Sequence, residues 1–234
     1  MMNIKTKLTL GLLLACFIQS SNAQEISLVG GMNISNMSMK DNDGNYAKEG
    51  NFKSRIGGHI GALLGFNLSE SIALQTGLLF STKGYRQVEK ETIDEDNKYK
   101  VVGILKLSYL EVPLLVSYNY SVKENIKIYA GLGPVLGIAV GGKYVEKGTW
   151  TIDGEKESEK ESEKISFGNN ENRDGIKRLD LGLIIQAGVQ YEKYKFGLFY
   201  NQGLMNVSPY NDNGFSVKNK AFGLSVAYVI DLKK

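Results

Sequence analysis

Cysteine, histidine and proline are scarce in this chain of 234 residues, and each shortage excludes a class of protein. The sequence contains one cysteine, Cys16, one histidine, His59, and three prolines. A single thiol excludes an internal disulfide framework, and so few histidine and cysteine side chains leave mainly carboxylates as metal ligands. With only three prolines there is no proline-rich linker that would divide the chain.

A strong charge of one sign and a long apolar run are also missing. The formal net charge is +3, and it falls to +1 when Lys5 and Lys7 are removed with the N-terminal segment. So small a charge argues against nucleic acid and against an anionic membrane surface as partners. No run of 18 apolar residues follows the N-terminal segment, so we expect no transmembrane helix.

The N-terminus has the pattern of an export signal. Lys5 and Lys7 precede an apolar stretch from Leu8 to Ile18, and Ser21-Asn22-Ala23 provides a small-residue cleavage site. We therefore predict a signal peptide over residues 1–23 and a mature domain over 24–234. Leu13-Leu14-Ala15-Cys16 also resembles a lipoprotein box, which leaves lipidation of Cys16 as an alternative.

Glycine and strict alternation are what the chain has in abundance. It contains 27 glycines and 13 tyrosines, a composition that suits β structure better than helices. In residues 179–191, apolar side chains occupy every odd position, and the even positions hold mostly Asp, Gly and Gln. A two-residue period of this kind indicates a β-strand.

The same alternation recurs along the chain and predicts eight strands. It covers 26–34, 55–68, 72–84, 104–120, 126–142, 179–191, 194–200 and 222–230. Short turns near 69–71, 122–125 and 192–193 alternate with long polar loops near 36–52, 86–103, 147–176 and 205–217. This arrangement is typical of outer-membrane barrels, whose long loops lie outside the cell.

In each predicted strand a second row of residues alternates with the apolar ones and faces the other side of the sheet. The composition of this second row decides between a membrane barrel, in which it faces the lumen, and a soluble lipocalin-like barrel, in which it faces water. That row is mostly Gly, Ser, Ala, Gln and Asn, which fit a narrow lumen, whereas a soluble exterior would carry Lys and Glu. Aromatic residues near the short turns would form an interfacial girdle: Phe66, Tyr118, Tyr120, Tyr129, Tyr191 and Tyr194. We therefore predict an all-β, eight-stranded antiparallel up-and-down transmembrane β-barrel in a Gram-negative outer membrane.

Several segments carry a family resemblance that spans the mature chain. GGMNISNM, YLEVPLLVSYNY, IYAGLGPVLGI and FGLFYNQGLMNV resemble the outer-membrane β-barrel domain family of Bacteroidota, whose members are called porin-family or PorT-like proteins. The resemblance implies an eight-stranded barrel inserted by the outer-membrane barrel assembly machinery. The chain departs from the family by ending in Leu232-Lys233-Lys234 instead of an aromatic residue.

The inward row predicts a polar cluster in the lumen. Its candidate members are Arg55, His59, Glu111, Asp180 and Gln186. Because small barrels have side-chain-filled interiors and interior charges need partners, we interpret the cluster as a structural plug. The functional alternative is an acid–base cluster or a Ser-His-acid hydrolase, for which no nucleophile motif is present.

The loops contain two further candidates. The repeat EKESEKESEK at 155–164 would place like charges at i,i+4 in a helix, so we predict a mobile surface loop or a partner-binding segment. Carboxylates at Asp41, Asp43, Asp94, Glu95 and Asp96 do not form a calcium loop, and D-N-D-G at 41–44 indicates a turn. We expect no metal and no cofactor.

The predicted function is that of a small, non-catalytic barrel that acts through its surface loops or braces the envelope. Its expected partners are outer-membrane lipid, the assembly machinery and an unidentified extracellular or envelope protein. The alternatives are a narrow porin for small solutes and, further off, a soluble lipocalin-like binder or a membrane-embedded hydrolase.

Overall fold

The protein is a sheet of long antiparallel strands. The computed structural model describes residues 23–46, 52–92, 98–152, 155–171, 174–210 and 214–232. Its strands are β1 (Glu25–Lys40), β2 (Phe52–Asn67), β3 (Ile72–Thr92), β4 (Lys98–Lys123), β5 (Ile126–Ile152), β6 (Glu155–Lys164), β7 (Leu179–Tyr191), β8 (Tyr194–Gly203) and β9 (Ser216–Asp231). Within these residues no helical segment has the length and the apolar character needed to span a membrane.

Some sequence-based predictions fall outside the described residues. The signal segment is one of them, except for Ala23, and so are Cys16, the loop acids Asp94 to Asp96 and the last two lysines. The cleavage site and the lipidation of Cys16 therefore stay predictions.

Eight of the strands close into a ring. The pairing runs β1-β2-β3-β4-β5-β7-β8-β9, and β9 returns to β1, with Glu25 opposite both Gly65 of β2 and Asp231 of β9. Closure gives every ring strand a hydrogen-bonded neighbour on both sides, and hydrocarbon surroundings require that no open sheet edge is left. The predicted eight-stranded antiparallel barrel is confirmed.

The two rows of each strand separate as the alternation predicts. Large apolar side chains cover the outside and remain about half exposed, for example Ile60 at 65%, Leu132 at 58% and Ile185 at 54%. The inward row is buried and consists of small or polar residues interrupted by a few apolar ones. A belt of exposed Leu, Ile, Val and Phe around a closed sheet is a surface suited to lipid.

The long-loop end of the barrel differs from the prediction. Strand β3 continues to Thr92, β4 starts at Lys98 and β5 continues to Ile152, so most of the predicted loop 86–103 is strand. The repeat at 155–164 is also a strand, β6, which pairs with residues 143–152 of β5. The prediction of a mobile loop there was wrong, because pairing with the projecting edge of β5 supplies backbone hydrogen bonds that a solvated loop lacks.

Tyrosines mark the short-turn end, with one exception. Tyr118, Tyr120, Tyr191 and Tyr194 are all about half exposed, as an interfacial girdle requires. Tyr129 was wrongly predicted as a member of this girdle. It lies on the inward row and lines the lumen, where a Cβ on Gly188 or Gly197 would lie within 2.6 Å of its hydroxyl oxygen.

The D-N-D-G segment is a turn, as predicted. The Asp41 carboxylate accepts hydrogen bonds from the backbone N–H of Asp43 at 3.0 Å and of Asn45 at 2.8 Å. Gly44 has a φ of +78°, in the left-handed region that glycine adopts without steric cost.

Candidate functional site

A buried ion cluster lies in the upper half of the lumen. Lys83 projects inward from β3, and its Nζ lies 2.5 Å from Oε1 of Glu111 on β4 and 3.6 Å from Oδ2 of Asp180 on β7. All three side chains are at most 7% exposed. The attraction between one cation and two carboxylates offsets part of the desolvation free energy that burying each charge costs.

Two neutral partners complete this ion cluster. Asn219 on β9 donates from Nδ2 to Oδ2 of Asp180 at 2.8 Å and to the hydroxyl oxygen of Tyr109 at 3.2 Å. The ammonium of Lys83 lies 5.3 Å from the centroid of the Tyr109 ring. The cluster therefore joins β3, β4, β7 and β9, and it crosses the lumen from wall to wall.

His59 occupies a separate layer nearer to the short-turn end. Its Nε2 lies 2.9 Å from Oγ of Ser225 on β9, and its ring packs edge-on against Phe199 with centroids 5.0 Å apart. Among the described residues, Nδ1 of His59 has no hydrogen-bond partner. Gly31 makes room for the imidazole, because a Cβ there would lie 2.6 Å from Cε1 of His59.

Polar contacts continue toward the short-turn end. Gln186 on β7 donates to Oε1 of Gln75 on β3 at 3.0 Å, and the hydroxyl of Ser117 donates to the same oxygen at 3.3 Å. At the rim, the Lys195 ammonium lies 2.7 Å from the Glu25 carboxylate. These contacts leave a cavity of about 60 Å³, which is large enough to hold water.

An apolar layer lies above the ion cluster at the long-loop end. Its buried members are Met37, Leu105, Leu107, Tyr109, Ala139, Ile176, Val207 and Val217, with Ile165, Phe167 and Phe215 packed against them. We call this layer the apolar plug. The connection between β6 and β7 supplies Ile165, Phe167 and Ile176, and the connection between β8 and β9 supplies Val207 and Phe215. The two connections are joined by a hydrogen bond of 2.7 Å from the Lys177 N–H to the Val207 carbonyl oxygen.

The five sequence-predicted lumen residues do not form one cluster. Glu111 and Asp180 share Lys83, whereas His59 and Gln186 lie in other layers. Arg55 is half-buried and donates from Nη1 to the Lys83 backbone carbonyl at 3.2 Å. Sequence reasoning missed Lys83, Tyr109 and Asn219, although each of them falls on the inward parity of its strand.

The geometry defines a class: a narrow β-barrel with a lipid-suited outer surface and a side-chain-filled lumen. The sequence profile of the outer membrane protein beta-barrel domain matches residues 17–208, and the chain belongs to that family. This membership indicates an outer-membrane location. No functionally curated protein matches the sequence significantly.

Three solved outer-membrane proteins are similar to this chain at low identity. OprG of Pseudomonas aeruginosa is 14% identical, with 90% of this chain and 97% of that chain covered and a TM-score of 0.42. Ail of Yersinia pestis, solved in complex with the heparin analogue sucrose octasulfate, is 18% identical, with 89% and 99% covered and a TM-score of 0.38. Neisserial surface protein A is 11% identical, with 87% and 96% covered and a TM-score of 0.37.

Proposed function

We propose that the protein is a non-conducting, non-catalytic outer-membrane barrel that acts through the structure it presents outside the cell, as a binding surface or as an envelope brace. The observation that carries this proposal is the double obstruction of the lumen. The ion cluster of Lys83, Glu111 and Asp180 spans the barrel, and the apolar plug lies above it.

Conduction through this lumen would require both layers to open. An eight-stranded barrel has a lumen that side chains just fill, and here the cavity beside His59 and Glu111 has a volume of about 60 Å³. A hydrated ion would have to displace the apolar plug and then pass a cation paired with two anions. These two costs favour the closed reading over the narrow-porin alternative.

The His59–Ser225 pair lacks the third group that a hydrolase needs. A catalytic histidine is oriented through its second ring nitrogen, usually by a carboxylate, and Nδ1 of His59 has no such partner among the described residues. The nearby Glu111 is instead paired with Lys83. A hydrolytic activity abolished by both His59→Ala and Ser225→Ala would refute the non-catalytic part of the proposal.

The long-loop end offers a large surface for the proposed binding role. We define the extracellular sheet as residues 85–92, 98–106, 143–152 and 155–164, which are paired in that order. It rises about 30 Å along its strands beyond the barrel, at roughly 3.3 Å per residue. A paired sheet holds its side chains at fixed spacing. Such a regular array is better suited to binding a partner than the mobile loop that the sequence predicted.

The remaining parts of the proposal rest on sequence patterns. The N-terminal segment supports export with cleavage after Ala23, and the family resemblance supports insertion by the barrel assembly machinery and a Bacteroidota, PorT-like relationship. Contact with outer-membrane lipid is expected from the exposed apolar belt.

Two measurements test the proposal. A semi-native gel of the outer-membrane fraction, boiled against unboiled, is expected to show a heat-dependent mobility shift, because a closed barrel resists detergent unfolding. The purified, shifted species in a planar bilayer is then expected to give no steady channels. Steady conductance from protein whose insertion is verified would refute the non-conducting reading, and a soluble periplasmic protein without a shift would refute the membrane barrel.

A further inference from the structure

The repeat EKESEKESEK sorts its charges when it is a strand. Side chains alternate between the two faces of a sheet, so β6 places five glutamates on one face: Glu155, Glu157, Glu159, Glu161 and Glu163. Lys156, Lys160 and Lys164 lie on the other face, separated by serines. All ten of these residues are exposed.

The pairing register extends this separation across the whole extracellular sheet. Directly paired residues share a face, so Glu161 of β6 lies beside Glu146 of β5, and Glu159 lies on the row that ends with Glu89 of β3. Glu91, Tyr99, Trp150 and Glu157 form the next row. We call this the acidic face, and in the four segments it contains no lysine or arginine.

The opposite face is equally uniform. Lys106 of β4, Lys143 of β5 and Lys164 of β6 form one continuous row, Lys147 is paired with Lys160, and Lys90 is paired with Lys100. Arg86, Lys98 and Lys156 complete this basic face, which contains no carboxylate in the four segments. Cations and anions are thus held on opposite sides of one sheet.

Like charges that face each other directly destabilise a sheet, and both faces carry such pairs. None of the cations of the basic face forms a salt bridge within the described part of the chain. On the acidic face, burial and the carboxylates Glu146 and Glu89 raise the pKa of Tyr144. A counter-charged partner would relieve the repulsion among the lysines.

The basic face is continuous with the lipid-facing surface of the barrel. On β4 the outward row is apolar from Leu110 to Tyr120, which spans about 33 Å along the strand and roughly 25 Å of height at a typical tilt. That height matches the apolar band of an outer-membrane barrel. Along the same row toward the long-loop end, Leu110 is succeeded by Ser108 and then by Lys106. The lysine row therefore lies at the level of the lipid headgroups.

We propose that the basic face of the extracellular sheet binds the phosphate groups of outer-leaflet lipid beside the barrel, with the row of Lys106, Lys143 and Lys164 as its lowest contact. This inference deepens the proposed function and rests on its membrane location. The surrounding lipid is favoured over a soluble polyanion because the lysine row starts where the lipid-facing belt ends. Membrane-proximal lysines contribute to headgroup binding through short-range charge attraction.

The test compares three triple variants of the full chain, folded in detergent. Lys106→Gln/Lys143→Gln/Lys164→Gln removes the lowest row. Lys123→Gln/Lys127→Gln/Lys193→Gln removes the same charge from the short-turn end, and Glu157→Gln/Glu159→Gln/Glu161→Gln alters the acidic face of the same sheet. Heat-modified gel mobility, measured on every variant, reports the barrel independently of lipid binding.

The probes are phosphatidylcholine bicelles that contain bisphosphorylated lipid A, or the same bicelles with dephosphorylated lipid A. We expect the first variant to bind the phosphorylated bicelles about tenfold to a hundredfold more weakly than the wild type. Both controls should stay near the wild type, and the difference should shrink at high salt.

Equal loss in the short-turn control would overturn the proposal, because it would show unspecific charge attraction. Indifference of the wild type to lipid phosphate would overturn it too, as would lysine-dependent binding of a soluble sulfated polysaccharide without binding of lipid A. In these cases a normal gel shift and a silent bilayer would leave the proposed function intact, so the two failures are distinguishable.

Discussion

Replacing Lys83 with methionine is the sharpest perturbation of the lumen. In the described structure Lys83 is the cation that contacts both Glu111 and Asp180, at 2.5 Å and 3.6 Å. Lys83→Met keeps the length of the side chain but leaves two carboxylates buried without that partner. Breaking a buried ion pair from one side costs about 3–5 kcal/mol, so we expect a loss of that size in the free energy of unfolding.

A neutral variant of the same cluster separates charge from packing. In Lys83→Met/Glu111→Gln/Asp180→Asn no buried charge of the cluster is left unpaired, and replacing a whole buried ion cluster is often close to neutral. We expect the triple variant to recover most of the stability that the single variant loses. Lys90→Met on the exposed sheet is the control for removing a lysine, with an expected change within about 0.5 kcal/mol.

Urea unfolding in detergent, followed by the fraction of protein that keeps its heat-modifiable gel mobility, measures these differences. A loss below about 1 kcal/mol for Lys83→Met would refute the reasoning, because it would mean that water or structural relaxation compensates the buried carboxylates. A triple variant as unstable as the single variant would show that side-chain packing is responsible.

Three further outcomes follow from the same geometry. Gly31→Ala should destabilise the barrel by about 1–3 kcal/mol, since its Cβ would lie 2.0 Å from the Leu224 carbonyl oxygen, whereas Gly30→Ala, with its nearest atom at 3.8 Å, should be nearly neutral in the same unfolding assay. Lys195→Met should cost less than Lys83→Met, because its partner Glu25 is 18% exposed and nearer to water; an equal cost would contradict this. Hydrogen exchange should protect about half of the amides in 155–164, as in an edge strand, and uniform rapid exchange would restore the loop interpretation.

Strand identity and sidedness could be read from the sequence because they depend on local order. In 179–191 the odd residues face outward and the even residues face inward, as the period of two predicts. The same parity placed His59, Glu111 and Asp180 inside. Side-chain direction alternates along any strand whatever its neighbours are, so this information needs no tertiary contact.

Which of the inward-facing side chains contact each other could not be predicted in this way. Lys83, Glu111, Asp180 and Asn219 lie on four strands, and the register of each pairing decides which of them meet. Hydrophobic alternation limits the register only to steps of two residues. His59 and Glu111 therefore looked like neighbours by parity, although the structure pairs them with Ser225 and Lys83 respectively.

The extracellular sheet shows both limits together. EKESEKESEK alternates between glutamate and lysine or serine, but an amphipathic strand is recognised by alternating apolar residues, and this segment has none. The small net charge also gave no sign that lysines and glutamates lie on opposite faces, because a net charge does not report where the charges are. The length, alternation and two-sidedness of the strands follow from the order of residues alone, since those properties belong to each strand. Which charges lie together depends on the fold, because strand pairing joins residues that are distant in the chain.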